Sequence, residues 1–202
     1  MNDNNLFWKW GKEKLAKGDR EGAFTDFAVG NSECDAKATF GLAIMYYHGW
    51  AVDEDRTRAQ ELFDSCFGEL QLLANVGDGE AAFILYRIYD IAATERFVPA
   101  DDILALEWLE RAAELHDLDG CLWLAIAYLG GSYIFVDYDP DYAIEMLEYC
   151  VEQNMAEAMV VLGEQYIYDD ISKAKTLFER AVALGNEEAA EMLKELDKRK
   201  EV

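Results

Sequence analysis

The two residues that most resemble a catalytic pair are Ser172 and Lys175, which form a Ser-x-x-Lys pattern. This pattern is a nucleophile motif of penicillin-interacting enzymes. Ser172 also falls at the predicted start of a helix, where serine is an ordinary cap. We favour the cap, and the sequence contains no glycine-rich phosphate loop, Gly-x-Ser-x-Gly or His-Glu-x-x-His pattern. The sequence therefore predicts no catalytic residue and no enzyme.

A second group, Asp137, Asp139 and Asp141 with Glu148 further on, resembles a calcium-binding loop. Such a loop needs glycine at the position that Tyr142 occupies. The repeat described below also places residues 141–148 on a helix, with Asp139 at its start. A helix cap is therefore the better interpretation of these carboxylates.

The two histidines do not form a metal or catalytic group. His48 and His116 belong to different repeat units, and neither has a cysteine or a second histidine nearby in sequence. We expect His116 to end a helix, where a cation is favoured by the helix dipole. The sequence therefore predicts no metal site and no cofactor.

These residues are set in a repeat, whose first element is a small residue followed by Leu four and Tyr eight positions later. Steps of four keep side chains on one face of an α-helix, so each triplet predicts one buried seam. The copies are Ala38-Leu42-Tyr46, Ala81-Leu85-Tyr89, Gly120-Leu124-Tyr128 and Ala158-Leu162-Tyr166, with a shorter Ala189-Leu193 at the end.

The second element of the repeat starts at an Asp, and an Ala follows four positions later. Counted from that Ala, bulky apolar residues stand three and four positions further on, and a small residue stands seven positions further on. This spacing is the stripe of an amphipathic helix, and the Asp is suited to cap its first turn. The copies are Asp55-Ala59-Leu62-Phe63-Cys66, Asp101-Ala105-Trp108-Leu109-Ala112, Asp139-Ala143-Met146-Leu147-Cys150 and Asp170-Ala174-Leu177-Phe178-Ala181, with Asp19-Ala23-Phe27-Gly30 as a relative.

Together the two elements make a hairpin of helix A, a turn and helix B, repeated along the chain. We predict an all-α fold, a right-handed α-solenoid of stacked antiparallel helix hairpins, as a single domain over residues 1–202. The predicted hairpins span roughly 4–30, 35–68, 78–116, 118–153 and 155–185, followed by a C-terminal capping helix at 187–199.

The stretch TFGLAIMYYHGWAVDEDRTRAQELF at positions 39–63 resembles the Sel1-like repeats, a branch of the tetratricopeptide-like hairpins. Leu42-Ala43, Tyr46 and Gly49 occupy matching positions, as do the residues Ala51, Val52, Asp55 and Ala59. Leu162-Gly163 with Tyr166 fits next best, whereas Tyr86 replaces the small residue after Leu85. The first unit reads more like a tetratricopeptide hairpin.

The resemblance implies a protein–protein interaction module, with the A helices lining a concave face. Some secreted, cysteine-rich members have been credited with penicillin-interacting activity, which keeps such a hydrolase as an alternative. Those members carry paired cysteines in every repeat, whereas here Gly120-Cys121 matches one half of a pair and no cysteine stands at the partner's spacing. We expect all four cysteines to be reduced and buried.

Charge is the strongest compositional signal. The chain has 41 acidic and 18 basic residues, a net charge of −23, and positions 23–186 alone hold 31 acidic and nine basic residues. Such a body repels nucleic acid and anionic membranes and favours a basic protein or peptide as partner. The alternative that acidity serves solubility alone remains open.

The predicted partner-binding residues lie on the A-helix face opposite the Leu-Tyr seam, or at the helix ends. Plain core is the competing interpretation of the apolar ones. They are Phe40, Ile44, Tyr47, Phe83, Arg87, Asp90, Ile126, Leu129, Glu157, Glu164, Ile167 and Tyr168.

Two functions follow from this surface and its charge. The first is an adaptor that binds a basic protein or peptide, and the second is an immunity-type inhibitor of a basic effector such as a nuclease toxin. Met1 to Lys17 is interrupted by charges and no apolar run is long enough for a membrane span, so we expect a cytoplasmic protein without a membrane or nucleic-acid partner. The oligomeric state is open, with a monomer favoured.

Overall fold

The computed structural model describes residues 6–95, 101–130 and 136–199, apart from the side chains of 90–95 and 199. Throughout these ranges the regular structure is helical, which confirms the predicted all-α fold of stacked antiparallel hairpins. The helices are α1 Leu6–Ala16, α2 Arg20–Ser32, α3 Ala36–His48, α4 Arg56–Asn75, α5 Gly79–Glu95, α6 Asp102–Glu114, α7 Leu118–Tyr128, α8 Pro140–Glu152, α9 Ala156–Gln165, α10 Ile171–Ala183 and α11 Glu187–Arg199.

The helices form two compact units. Unit 1 is Met1–Leu115 and contains α1 to α6, and unit 2 is His116–Val202 and contains α7 to α11. In each unit every helix packs against the next one along the chain, and in unit 1 the A helices α1, α3 and α5 also contact one another. The single domain over 1–202 stays a prediction.

The B helices begin where the repeat places an Asp. The side chains of Asp19, Asp55, Asp101, Asp139 and Asp170 each accept a hydrogen bond from the backbone N–H three residues later, at 2.9 to 3.1 Å. Each carboxylate satisfies a donor that the first helical turn leaves free. All five predicted caps are therefore confirmed.

The A helices have a capping rule of their own, which the sequence analysis missed. Asp35, Asp78, Asp117 and Asn186 accept a hydrogen bond from the N–H of the small seam residue three positions later, at 2.8 to 3.1 Å. Met155 stands at this position before α9 and makes no side-chain cap. The signal was present in the sequence as Asp or Asn three residues before the seam.

The links from B to A helices turn through a residue with positive φ. His116 has φ 60° and lies two residues beyond the end of α6, which corrects the prediction that it ends the helix. Cys34 and Asn154 occupy the same position in their links, with φ 61° and 62°. The left-handed residue reverses the chain so that the next N–H reaches back to the preceding helix, as Asp35 N does to Gly30 O at 2.9 Å.

The small residues and the first four Leu of the predicted seams form the core together with the B-helix stripes, whereas Tyr46, Tyr128 and Tyr166 of the seams are only half-buried. Leu85, Leu109, Leu147 and Phe178 are fully enclosed, as are the alanines of the repeats. Helix α4 continues to Asn75, beyond the predicted hairpin end at 68, because Leu70 and Ala74 extend its buried stripe by two further turns. No helix in the described ranges has both the length and the apolar character needed to cross a lipid bilayer.

Candidate interaction surfaces

The Ser-x-x-Lys pair lies on the exposed first turn of α10. Asp170 caps this helix, so Ser172 is not the cap that the sequence predicted. Lys175 Nζ forms an ion pair with Asp197 Oδ1 at 3.0 Å, and the hydrogen bond to Asp197 raises the pKa of the lysine. A lysine held protonated is a poor base for activating a serine. The geometry therefore gives no support to a nucleophilic role for Ser172.

The carboxylates that resemble a calcium loop serve the helix instead. Asp139 caps α8 through the N–H of Tyr142, and Asp141 lies in the first turn of that helix. In the ranges with described side chains, no group of three or more His, Cys, Asp or Glu is arranged to hold a metal ion.

One of the four cysteines differs from the prediction: all four are free and three are buried, but Cys34 is not. Cys34 is exposed, because it occupies the left-handed turn between α2 and α3 rather than a helix face. Cys121 and Cys150 lie side by side inside unit 2, where their thiols are hydrogen-bonded. That hydrogen bond raises the pKa of Cys150 and lowers that of Cys121. Sequence spacing alone did not reveal this pair, because its members lie on different helices.

The predicted A-helix face of unit 1 is largely core. Phe40, Tyr47 and Phe83 are buried, and the Phe40 ring lies between Trp8 at 6.2 Å and Phe63 at 5.9 Å, measured between ring centroids. Ile44 and Arg87 are half-buried, and the side chain of Asp90 lies outside the described residues. Of the two interpretations of the three aromatic residues, packing supports the core.

An ion-pair network joins α1, α3 and α5 near the start of the last two. Lys37 is 3% exposed, and its Nζ lies 2.8 Å from Asp78 and 3.0 Å from Glu80. Lys12 Nζ reaches the other oxygen of Glu80 at 2.7 Å. Burial alone would raise the pKa of Glu80, but Lys12 and Lys37 together lower it to about 2. The charge of Glu80 is therefore neutralised by two cations.

The turn between α3 and α4 carries a cluster of aromatic and basic side chains. The His48 ring stacks on Trp50 at 4.8 Å and meets Tyr47 edge-on at 4.7 Å. Arg20 lies over the Trp50 ring at 5.0 Å. Partial burial, followed by the nearby charge of Arg87, lowers the pKa of His48. These contacts support a structural role for His48.

The predicted residues of unit 2 are more accessible. Ile126, Leu129, Glu164 and Ile167 are half-buried, and Glu157 is exposed. Burial, followed by the charge of Glu188, raises the pKa of Glu164. Tyr168 is the most exposed of the predicted set, with 87% of its surface accessible.

Several exposed apolar side chains were absent from the sequence prediction. They lie off the seam positions, in turns or on the outer face of a helix, where periodicity gives no signal. They include Trp10, Leu72, Val76, Trp123, Tyr138 and Tyr142.

Comparison with family models matched the Sel1 repeat at four segments. The matched residues are 36–65, 94–117, 118–155 and 156–186, which is more than half of the chain. No curated protein matched the chain.

Solved structures with the same fold include bacterial proteins of three kinds. A Sel1 repeat protein from Oxalobacter formigenes is 27% identical with a TM-score of 0.60, covering 88% of this chain and 49% of its own. A protective antigen present in uropathogenic Escherichia coli strains, which displays an SLR fold, is 25% identical with a TM-score of 0.62, covering 95% of this chain and 40% of its own. This chain thus spans half or less of the length of those two proteins.

The third kind is an immunity protein from Pseudomonas aeruginosa. It is 18% identical with a TM-score of 0.59, covering 94% of this chain and 69% of its own. At this identity the likeness concerns the fold alone.

Proposed function

The chain belongs to the Sel1 repeat family, and from that premise we propose that it is a protein-interaction module that binds a basic protein or peptide. Stacked helical hairpins present side chains from successive repeats on extended surfaces, and the repeats themselves need no catalytic group to do so. The partner's identity and its site on the repeats belong to the proposal.

The observation that carries the proposal is the distribution of charge. Between residues 112 and 172 the sequence has thirteen Asp and Glu and no Lys or Arg. Clustered carboxylates of this kind attract cationic surfaces and accelerate their encounter. Nearly all of this stretch belongs to unit 2, so we place the attraction there.

In this proposal the contact residues are those members of the predicted face that remain accessible. Half-buried apolar side chains supply contact area, and the carboxylates beside them select cations. In unit 2 the set is Ile126, Leu129, Glu157, Glu164, Ile167 and Tyr168.

Affinity capture from the native cell at 50 mM and 500 mM salt tests this function. We expect a retained protein that is basic and that is released by high salt, because screening weakens attraction between exposed charges. An acidic partner, or binding indifferent to salt, would contradict the proposal. A bait carrying Glu157→Gln and Glu164→Gln should retain less of it than a bait carrying the matched changes Glu107→Gln and Glu110→Gln on α6.

An immunity-type inhibitor of a basic effector, such as a nuclease toxin, is the second candidate. Two structures of immunity proteins with this fold favour it, since such hairpins occur in proteins of that class. Co-expression distinguishes it from an adaptor: the captured partner should be toxic alone and harmless with this chain. A partner that is harmless alone would leave the adaptor.

The proposal includes no enzymatic activity. Since Lys175 is paired with Asp197, we expect no hydrolysis of a β-lactam by the purified protein. Turnover that Ser172→Ala abolishes would restore the hydrolase alternative. A residual rate that survives this change would point to a contaminant.

A cytoplasmic setting is part of the same proposal, since four free cysteines suit a reducing compartment. Thiol counting on denatured protein taken from native cells tests this. Four reactive thiols are expected, whereas the loss of two, through a bond between Cys121 and Cys150, would indicate an oxidising compartment.

A further inference from the structure

In unit 2 the residues just before the two B helices, 136–139 and 166–170, lie at the same end. Lys173 Nζ, near the start of α10, is 3.4 Å from Glu148 of α8. Further along both helices, Arg180 donates a hydrogen bond to the Val151 carbonyl at 3.2 Å. The later residue of α10 contacts the later residue of α8, so the two helices run parallel and begin at the same end of the unit. The residues that directly precede α8 and α10 therefore lie at the same end of unit 2.

This end of unit 2, formed by residues 137–142 and 166–170, is called the tyrosine end. Tyr138 is 69% exposed, Tyr142 is 44% exposed and Tyr168 is 87% exposed. Of these, Tyr142 leans edge-on against Tyr128, with ring centroids 5.1 Å apart. Tyr138 and Tyr168 lie in the two turns, and Tyr142 lies in the first turn of α8. Exposed aromatic side chains grouped at one end of a unit are typical of a contact surface.

Carboxylates surround these rings. Asp137, Asp141 and Asp169 are exposed, and Asp139 and Asp170 are exposed while capping α8 and α10. The surface therefore combines aromatic faces with negative charge, and it is not apolar alone.

The protein itself contains one example of how a cation fits here. Lys173 Nζ lies 4.0 Å from the centroid of the Tyr166 ring and also reaches the Glu148 carboxylate at 3.4 Å. A ring face and a carboxylate thus hold one ammonium group together. Asp137 adjoins Tyr138 in sequence and Asp169 adjoins Tyr168, so the same two kinds of group stand next to each other at both exposed rings.

We propose that the tyrosine end of unit 2 binds an arginine-rich segment of a partner protein. The inference rests on the proposed function and gives its partner a chemistry and a location. A guanidinium group is planar, so it stacks on a tyrosine face while its edge donates hydrogen bonds to a carboxylate. The ammonium group of lysine interacts less well with the ring face and cannot form a bidentate hydrogen bond with a carboxylate.

Two peptides of equal charge, hexa-arginine and hexa-lysine, test the proposal in binding assays at 150 mM salt. The ring variant is Tyr138→Ala with Tyr168→Ala, and the carboxylate variant is Asp137→Asn, Asp141→Asn and Asp169→Asn. The charge-matched control is Glu69→Gln, Glu107→Gln and Glu110→Gln, three exposed helical positions in unit 1. Circular dichroism checks that each variant folds.

We expect wild type to bind hexa-arginine about fivefold more tightly than hexa-lysine, as one or two exposed cation–ring contacts would give. The ring variant should abolish that preference, and the carboxylate variant should weaken both peptides. The control should leave both affinities within about twofold of wild type, because charges outside the contact act only through a screened field.

The inference would be overturned if the two peptides bound with equal affinity. It would also be overturned if the carboxylate variant and the control lost equal affinity, because binding would then reflect general charge attraction. Absence of binding would overturn it as well. Its failure is separable from that of the proposed function: a basic partner captured equally well by wild type and by the ring variant leaves the function standing and removes this site.

Discussion

At the level of single residues, the most consequential side chain in unit 1 is a lysine with almost no exposure to water. Burying an ammonium group is costly unless it is paired, and Lys37 has two carboxylates within 3.0 Å. Its partners are partly accessible, at 23% and 31%, so the pair is screened on one side. The network joins α3 to α5 and, through Lys12, to α1. Its two lysines neutralise the charge of Glu80.

Glu80 makes the stability of unit 1 depend on pH. Its pKa is about 2 in the folded protein against 4.5 as the ordinary value, so the ionised carboxylate stabilises the fold fully above about pH 4.5. That contribution declines as the pH falls toward 2. We expect Glu80→Gln to lower the free energy of unfolding by about 1–2 kcal/mol at pH 6, less than the full pKa shift implies because the carboxylate is partly solvated.

Urea unfolding of wild type and Glu80→Gln between pH 6 and pH 2 measures this difference. The two curves should converge as the pH approaches 2. The control is Glu114→Gln, which breaks an exposed pair with Arg111 and should change stability by less than about 0.5 kcal/mol at any pH. A gap between wild type and Glu80→Gln that stays constant with pH would show that the carboxylate acts through packing and not through charge.

At the level of helices, close packing of A on B requires glycine where an aromatic ring crosses. A Cβ on Gly163 would lie 2.5 Å from Cε1 of Phe178, whereas a Cβ on Gly68 in α4 meets nothing within 4 Å. The same substitution should therefore act in opposite directions. We expect Gly163→Ala to destabilise by about 1–3 kcal/mol through overpacking, and Gly68→Ala to stabilise by about 0.5–1 kcal/mol through helix propensity. Chemical denaturation of both variants measures the two changes in the free energy of unfolding. If both changes had the same sign, they would contradict the packing argument.

Helix α9 has no side-chain cap, because Met155 occupies the position that Asp or Asn holds before the other capped A helices. With φ −77° and ψ 112°, its backbone already suits a capping residue. We expect Met155→Asp to be more stable than Met155→Ala by about 1 kcal/mol, a comparison that cancels the lost methionine contacts. Thermal unfolding measures it, with Asp139→Ala as the converse change in a helix that is capped. Equal stability of the two Met155 variants would refute the capping account.

The helices were more predictable than the surface they form. Periodicity and an Asp at each start located the B helices, because both signals are local. The rule for the A helices was equally local, Asp-x-x-Ala at Asp35 and Asp78, and was overlooked. The contact of Lys37 with Glu80 joins residues 43 apart, and the burial of Phe40 depends on Trp8 and Phe63 from other helices. Only the packed structure decides which apolar residues remain accessible.

At the scale of the whole molecule, the net negative charge opposes folding. A chain with net charge −23 repels itself in the compact state, and the repulsion acts over the screening length. That length is about 30 Å at 0.01 M salt and about 8 Å at 0.15 M. Most ion pairs of the described side chains are exposed and add little in return. Bulk acidity therefore has a cost in stability at low salt, one that binding a basic partner would relieve.

Raising sodium chloride from 10 mM to 150 mM should accordingly increase the thermal midpoint. A gain of about 1–2 kcal/mol corresponds to roughly 3–6 °C in a chain of this length. The variant with Glu69→Gln, Glu107→Gln and Glu110→Gln carries −20 instead of −23, so it should begin higher at low salt and gain less. Thermal unfolding of both proteins across the salt series measures how much self-repulsion lowers the midpoint. If salt left the wild-type midpoint unchanged, or raised both proteins equally, self-repulsion would be too weak to matter, and the carboxylates would be free to serve partner binding without loss of stability.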